Sequence, residues 1–265
     1  MPLDPIYRDA HVQSAASKIP FPSLFVTVSG AHLYGFSSPD SDVDLRACHL
    51  LAPDAFLGID APRETLEISQ TKNGLEWDIV SHDARKFFLI LLKGSGYALE
   101  QVLSPLVVHS SPNHEELCEL ARATISRRHA RHYFGFARSQ WKLFTSEQPP
   151  RVKPLLYTFR ILLTGIHLMR TGELNANLEE MNAQFQLLRV DELIALKRAT
   201  KEKITLSDPD LSFFSAEFER LVSELGRAHN QSQLPLEPTN KSDFDSLLPR
   251  LRAETSTTAQ RAIAN

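Results

Sequence analysis

The spacing of hydrophobic and polar positions changes character near residue 110. Before that point the apolar runs are short. Leu24-Phe25-Val26-Thr27-Val28 reads as a buried strand running into Ser29-Gly30. A turn-rich stretch, Ser37-Ser38-Pro39-Asp40-Ser41, leads into Asp42-Val43-Asp44-Leu45-Arg46-Ala47-Cys48, whose polar–apolar alternation predicts a second strand. Glu76-Trp77-Asp78-Ile79-Val80 repeats the alternation after an Asn73-Gly74 hairpin signal. From Asp83 to Lys93 the period becomes helical, with Asp83 as cap and Gly94 as stop. Residues 1–20 are polar, show no period and read as an arm.

After Ser110-Ser111-Pro112-Asn113, helical spacing prevails over about 114–144, 153–171, 177–201 and 211–229. Asn113, with Glu116 three positions on, predicts a capping box, and Pro149-Pro150 separates the first two helices. Pro235 to Asn265 offers a short amphipathic piece around Leu247 to Leu251 and then polar residues. The expected class is α+β. An N-terminal arm (1–20) precedes a small sheet-and-helix domain (21–110), a mostly helical domain (111–250) and a polar tail (251–265).

Composition narrows the function. With 265 residues, 42% of them apolar, the chain can bury a sizeable core. The longest apolar run, Phe87 to Leu92, is far short of the ~20 residues of a membrane helix, so no membrane partner is expected. The N-terminus shows no basic stretch followed by an apolar segment, and the two cysteines, Cys48 and Cys118, form no C-x-x-C pair. A disulfide framework and a thiolate zinc site are thereby disfavoured, and a cytoplasmic location is the simpler expectation. No stretch reads as a Walker or dinucleotide-binding glycine motif.

The net charge of −3 conceals an asymmetry. Between Ala121 and Gly172 stand Arg122, Arg127, Arg128, Arg131, Arg138, Lys142, Arg151, Lys153, Arg160 and Arg170, against the single acid Glu147. A basic centre in an otherwise acidic chain points to a phosphate-bearing partner, or to a solvated helix face balanced by other segments.

Asp42 and Asp44 lie two apart on a predicted strand, on one face and roughly 6.6 Å apart along the backbone. Val43 and Leu45 point the other way. Asp78, on the polar face of its own strand, can supply a third carboxylate. A D-x-D pair alone is weak, because most such pairs merely decorate a surface. Three carboxylates on adjacent strands can hold two divalent ions ~3.5–4 Å apart, an arrangement that serves nucleotidyl transfer. The turn upstream sharpens the reading: Ser29-Gly30-Ala31 closes a buried strand, and a helix starting near His32 would offer free N–H groups to a phosphate.

Ser29-Gly30-Ala31-His32-Leu33-Tyr34-Gly35, followed by Ser38-Pro39-Asp40-Ser41-Asp42-Val43-Asp44-Leu45-Arg46, closely resembles the signature of DNA polymerase beta-type nucleotidyltransferases, in particular the bacterial branch associated with RNA repair. The resemblance extends through Asp78 and Arg85-Lys86-Phe87, and more loosely from Lys153 through Arg160 to Arg170-Thr171-Gly172-Glu173, covering roughly 22–175. It implies a mixed sheet flanked by helices. It also implies Mg²⁺ (or Mn²⁺) on Asp42, Asp44 and Asp78, and a nucleoside triphosphate, with ATP expected, at Ser29, Gly30, Ala31, Ser41 and Arg46. Two departures stand out. Ala31 occupies the place of the usual serine, removing a hydroxyl whose bond to a charged phosphate is worth about 1.5–3 kcal/mol. Gly94-Ser95-Gly96 stands where relatives carry an Asn-Pro turn.

Lys153, Tyr157, Arg160, Thr164 and His167 fall at offsets 0, 4, 7, 11 and 14, one continuous polar stripe on an apolar helix. The stripe is either a solvent face or a nucleotide-facing one, in which Lys153, Tyr157 and Arg160 receive the triphosphate. The resemblance favours the second. The helix before it interleaves Arg127, Arg128, Arg131, Arg138 and Lys142 with Tyr133, Phe134, Phe136 and Trp141. That mixture suits single-stranded RNA, and equally suits aromatics in a core with arginines in water. His109 and His114 read as surface-loop residues, and Cys48 as a small buried hydrophobe.

The expected function is transfer of a nucleoside monophosphate from a triphosphate to an acceptor hydroxyl, an RNA 3′ end being favoured. The alternatives are a protein AMP-transferase acting as regulator or toxin, and a non-catalytic nucleotide- or RNA-binding relative weakened by Ala31.

Overall fold

The computed structural model describes residues 4–72 and 75–263, the side chains of Lys72, Leu75 and residues 255–263 excepted. The Asn73-Gly74 hairpin signal lies outside the described residues. Strands are β1 (Ser23–Val28), β2 (Val43–His49), β3 (Thr65–Lys72), β4 (Leu75–Asp83) and β5 (Val107–Ser110). Helices are α1 (Ala10–Ala16), α2 (Gly30–Tyr34), α3 (Ala84–Leu92), α4 (Gly96–Val102), α5 (His114–Ala123), α6 (Ala130–Ser146), α7 (Val152–Thr171), α8 (Leu178–Phe185), α9 (Val190–Ala199), α10 (Leu211–Gln231) and α11 (Lys241–Ile263). Two compact units result: a sheet unit of residues 4–29, 42–124 and 238–263, and a helical unit of 30–41 and 125–237.

In the sheet unit the strand order is β3-β4-β2-β1-β5. β2 and β4 run parallel and the other pairs antiparallel, so the sheet is mixed, as expected. β1, between β2 and β5, is buried at every position from Leu24 to Val28, so both of its faces are covered. Asp83 caps α3 through Oδ1, which accepts from the Arg85 N–H at 2.9 Å. α3 then buries Phe87, Phe88 and Leu91, and Phe25 meets Phe87 edge-on at 5.3 Å.

Several features differ from the sequence reading. Where an aperiodic arm was expected, α1 forms and buries Val12 and Ala15, with Asp9 accepting from the His11 and Val12 N–H groups. The amphipathic piece around Leu247 is part of the long α11, where Phe244 packs on Phe88 at 5.0 Å and Arg252 Nη2 donates to the buried Asp83 at 2.8 Å. Asn113 makes no side-chain cap, so the capping box is absent: its amide donates to Glu254, and Glu116 pairs with Arg250. His114, expected on a surface loop, is buried against Phe25, with Nε2 3.1 Å from the Val102 carbonyl.

In the helical unit α7 is buried along most of its length and α6 and α10 pack on it. Gly165 permits the close approach of α6, since a Cβ there would lie 2.9 Å from the Tyr133 ring. The single helix expected over 177–201 is divided into α8 and α9, the chain reversing through Gln186 (φ 53°) and Arg189 (φ 66°). The helix expected over 114–144 is likewise broken into α5 and α6.

Candidate functional site

The acidic residues stand on β2 and β4. Alternation sends Val43, Leu45 and Ala47 into the core and leaves Asp44 and Arg46 half-buried on the opposite face. Asp42 immediately precedes β2 and is also half-buried. The parallel register sets Asp44 directly against Asp78. Two such carboxylates repel, and Arg46 compensates. Its Nη2 donates to Asp44 Oδ1 at 2.7 Å, while Nη1 lies 3.5 Å from Asp78 Oδ2 and donates to the Asp78 carbonyl at 3.2 Å. Ser69 Oγ, from β3, donates to Asp78 Oδ1 at 3.0 Å. The Ser29 N–H donates to the Asp44 carbonyl at 2.8 Å, tying the end of β1 to the carboxylate strand just before Gly30.

Asp44 and Asp78 are 28% and 37% exposed, and their oxygens are the donors a hard divalent cation prefers. The donor chemistry therefore fits Mg²⁺ or Mn²⁺. Among the described residues no three His, Cys, Asp or Glu side chains are gathered closely enough to form a ready metal cage. Arg46, expected from the resemblance at the nucleotide, here supplies positive charge to both acids.

α2 begins at Gly30 itself, which takes φ 65°, and is five residues long. So short a helix has little dipole, and anion binding at Ser29-Gly30-Ala31 would rest on backbone N–H groups. Ala31 is buried, so the missing hydroxyl would not lie on open surface. Gly35 takes φ 82°, and a Cβ there would lie 2.7 Å from Asn177 Oδ1.

Within the helical unit a carboxylate gathers four donors. Glu202 Oε2 accepts from Ser41 Oγ at 2.8 Å, from Ser38 Oγ at 3.2 Å and from Lys197 Nζ, and Oε1 pairs with Lys153 Nζ. Burial opposes the charge on Glu202, but the bonds from Lys153, Lys197 and Ser41 prevail and bring its pKa down to about 2. Ser41 is buried in this cluster, and Arg198 anchors the same loop by donating to the Gly35 carbonyl. Neither Lys197 nor Glu202 figures in the sequence reading. The available signal was a lysine on the apolar stripe of α9, seven residues after Val190 and three after Ile194.

The polar stripe of α7 is not a solvent face. Arg160 and Thr164 are fully buried, and Thr164 Oγ1 donates to the Asn175 carbonyl at 2.9 Å. The Arg160 guanidinium lies over the Tyr34 ring at 3.8 Å, and Tyr34 meets Tyr157 edge-on at 5.4 Å. His132 has its pKa lowered to about 4, first by burial and then by Arg160. Lys153 and Tyr157 remain half-buried.

On α6 and the turn before it the basic residues separate. Arg131, Arg138 and Lys142 are exposed, whereas Arg127 and Arg128 are half-buried and Arg128 pairs with Glu237. Tyr133 is buried and Trp141 is stacked on Phe218 at 4.7 Å, so these rings are engaged in the helical unit rather than displayed for bases.

The chain is similar to an uncharacterized protein of Methanocaldococcus jannaschii, 34% identical over 154 residues, 58% of this chain. That match spans 63% of the archaeal protein's length. The uncharacterized protein YcgL of Bacillus subtilis is 23% identical over 209 residues, 75% of this chain and 79% of YcgL. A solved nucleotidyltransferase-like protein from Exiguobacterium sibiricum aligns over 85% of this chain and 74% of its own, with a TM-score of 0.33 and 11% identity. The resemblance read from Ser29 to Arg46 is borne out: the family model for RlaP, the RNA repair pathway DNA polymerase beta family, matches residues 3–250, and the chain belongs to that family of nucleotidyltransferases.

Proposed function

We propose that the protein transfers a nucleoside monophosphate from a nucleoside triphosphate, ATP for preference, to the 3′ hydroxyl of an RNA. The acceptor oxygen forms the new bond to the α-phosphorus as the bond to pyrophosphate breaks. Asp42, Asp44 and Asp78 are assigned the divalent ion, Mg²⁺ or Mn²⁺, which when bound lowers the pKa of the attacking hydroxyl and offsets phosphate charge. Lys153 and Tyr157 are assigned the triphosphate, with the backbone of Ser29, Gly30 and Ala31. Arg160, enclosed at Tyr34, holds the aromatic rings in place, and Ser41 fixes the turn ahead of Asp42. Arg131, Arg138 and Lys142 are assigned the RNA phosphates.

The observation that carries this reading is the direct register of Asp44 against Asp78, which keeps two acids together on neighbouring strands. Family membership supports the reaction class. The test is incubation with each labelled triphosphate, Mg²⁺ or Mn²⁺, and RNA bearing a free 3′ hydroxyl. Label in RNA, with release of pyrophosphate, is expected. Label in protein alone would shift the acceptor to a protein hydroxyl. A non-catalytic binding role is favoured by one observation, Arg46 between Asp44 and Asp78. Triphosphate binding with no pyrophosphate release on any acceptor would establish it.

A further inference from the structure

Lys197 projects from the buried stripe of α9, in series with Val190, Leu193 and Ile194, and has no exposed surface. An ammonium so enclosed requires a counter-charge and hydrogen-bond acceptors. It finds both: Nζ donates to Ser38 Oγ at 2.7 Å and to Glu202 Oε2. The other oxygen of Glu202 faces Lys153, whose side chain is 33% exposed. Two ammoniums therefore share one enclosed carboxylate. Asp40, the other acid at the cluster, is exposed, and its Oδ1 accepts from the Glu202 N–H at 2.8 Å and lies 3.0 Å from Ser38 Oγ. Arg151, two residues before Lys153, is engaged by Glu147.

We propose that Lys197 is a positioning residue for anion binding at Lys153. It supplies the counter-charge of Glu202, so that Glu202 orients the Lys153 ammonium without cancelling it. The reasoning is one of charge and burial. Lys197 cannot reach water, so its claim on Glu202 is permanent. Lys153 is aimed by Oε1 but keeps a surplus positive charge on its exposed side. The same carboxylate holds Ser38 and Ser41, so the turn that precedes Asp42 is fixed by the residue that aims the cation. The ligand class is a polyphosphate, and the proposal rests on the assignment of Lys153 to the triphosphate.

Inorganic tripolyphosphate is the probe, titrated calorimetrically into the full chain. Lys153→Met should weaken binding about tenfold or more, as expected for loss of a charge-assisted contact. Lys197→Met should do the same without touching the ligand, because Lys153 then neutralises Glu202. Lys197→Met combined with Glu202→Gln removes both charges, restores the surplus on Lys153, and should recover affinity to within about threefold, less than 1 kcal/mol. If the single Lys197 variant fails to fold, the double variant still decides. Recovery supports the proposal, and binding as weak as that of Lys153→Met overturns it. A purely structural Lys197 would restore thermal stability in the double variant without restoring affinity. Binding weakened by Lys153→Met but indifferent to Lys197→Met sinks the proposal and leaves the nucleotide assignment standing. No tripolyphosphate binding by the unaltered chain sinks that assignment, and the proposal with it.

Discussion

Asp44 stands directly opposite Asp78 on two parallel neighbouring strands, and the Arg46 guanidinium reaches both carboxylates. If these acids carry the metal, Asp44→Asn or Asp78→Asn should lower nucleotide transfer by about 10²–10³-fold or more, the scale of losing a charge-stabilising group at a reacting centre. Stability should change by less than about 1 kcal/mol, because partly exposed ion pairs contribute little. Pyrophosphate release and a thermal melt on each variant check the two halves. Unchanged turnover in either one would remove the metal assignment.

Much of this arrangement is legible in the chain and some is not, for identifiable reasons. β2 and β4 each bury one face, so alternation marks Asp44 and Asp78 as lying on the other, while their side-by-side register comes from a long-range parallel pairing that alternation does not encode. β3 escapes notice because it is a largely exposed edge strand with Leu66 and Ile68 among Glu67, Ser69 and Gln70. The break between α8 and α9 turns on Gln186 and Arg189 at positive φ, where side chains advertise no such preference. α1 is too short to display a period, and its burial depends on tertiary contact. The pairing of Lys153 with Glu202 joins residues from α7 and from the turn after α9, and no local pattern encodes it.

Arg46 supplies the charge that a bound cation would otherwise bring. Arg46→Gln should therefore destabilise the metal-free protein by about 1 kcal/mol through uncompensated repulsion of Asp44 and Asp78. Mn²⁺ or Mg²⁺ should then raise the melting temperature of the variant more than that of the unaltered chain. An equal metal-induced shift in both proteins would separate Arg46 from the metal site.

Two acid windows are expected in the stability of the helical unit. Burial holds His129 at about 4, and burial together with Arg160 holds His132 there too, against an ordinary 6.5. These depressed values mean stability present above pH 6.5 and lost as pH falls through 4, on the order of 2–3 kcal/mol for each group. Glu202 lies at about 2 against an ordinary 4.5, so its contribution persists above 4.5 and is lost towards 2. Urea midpoints measured from pH 7.5 downward should decline across the first window, and His129→Gln should flatten part of it. Glu202→Gln should leave that window unchanged and flatten the second. A midpoint constant between pH 6.5 and 4 would contradict the burial of both histidines.

The exposed Arg131, Arg138 and Lys142 occupy positions 0, 7 and 11 along α6 and so share one face. Tyr133 and Trp141 of the same helix are engaged inside the unit. With Tyr133 and Trp141 so engaged, and the half-buried Phe134 ring lying 5.9 Å beneath Arg138, the proposed RNA would meet this face through its phosphates rather than by stacking of its bases. RNA binding should therefore be strongly salt-dependent and nearly indifferent to base composition. Changing all three residues to Gln should reduce the slope of log K against log salt by about 2, at roughly 0.7 per phosphate contact on a single strand. Fluorescence anisotropy on single-stranded oligonucleotides of differing sequence, titrated at several salt concentrations, measures both quantities. An unchanged slope in the triple variant would move the RNA elsewhere. Strong discrimination between purine and pyrimidine strands would mean that aromatic side chains outside this face are reading the bases.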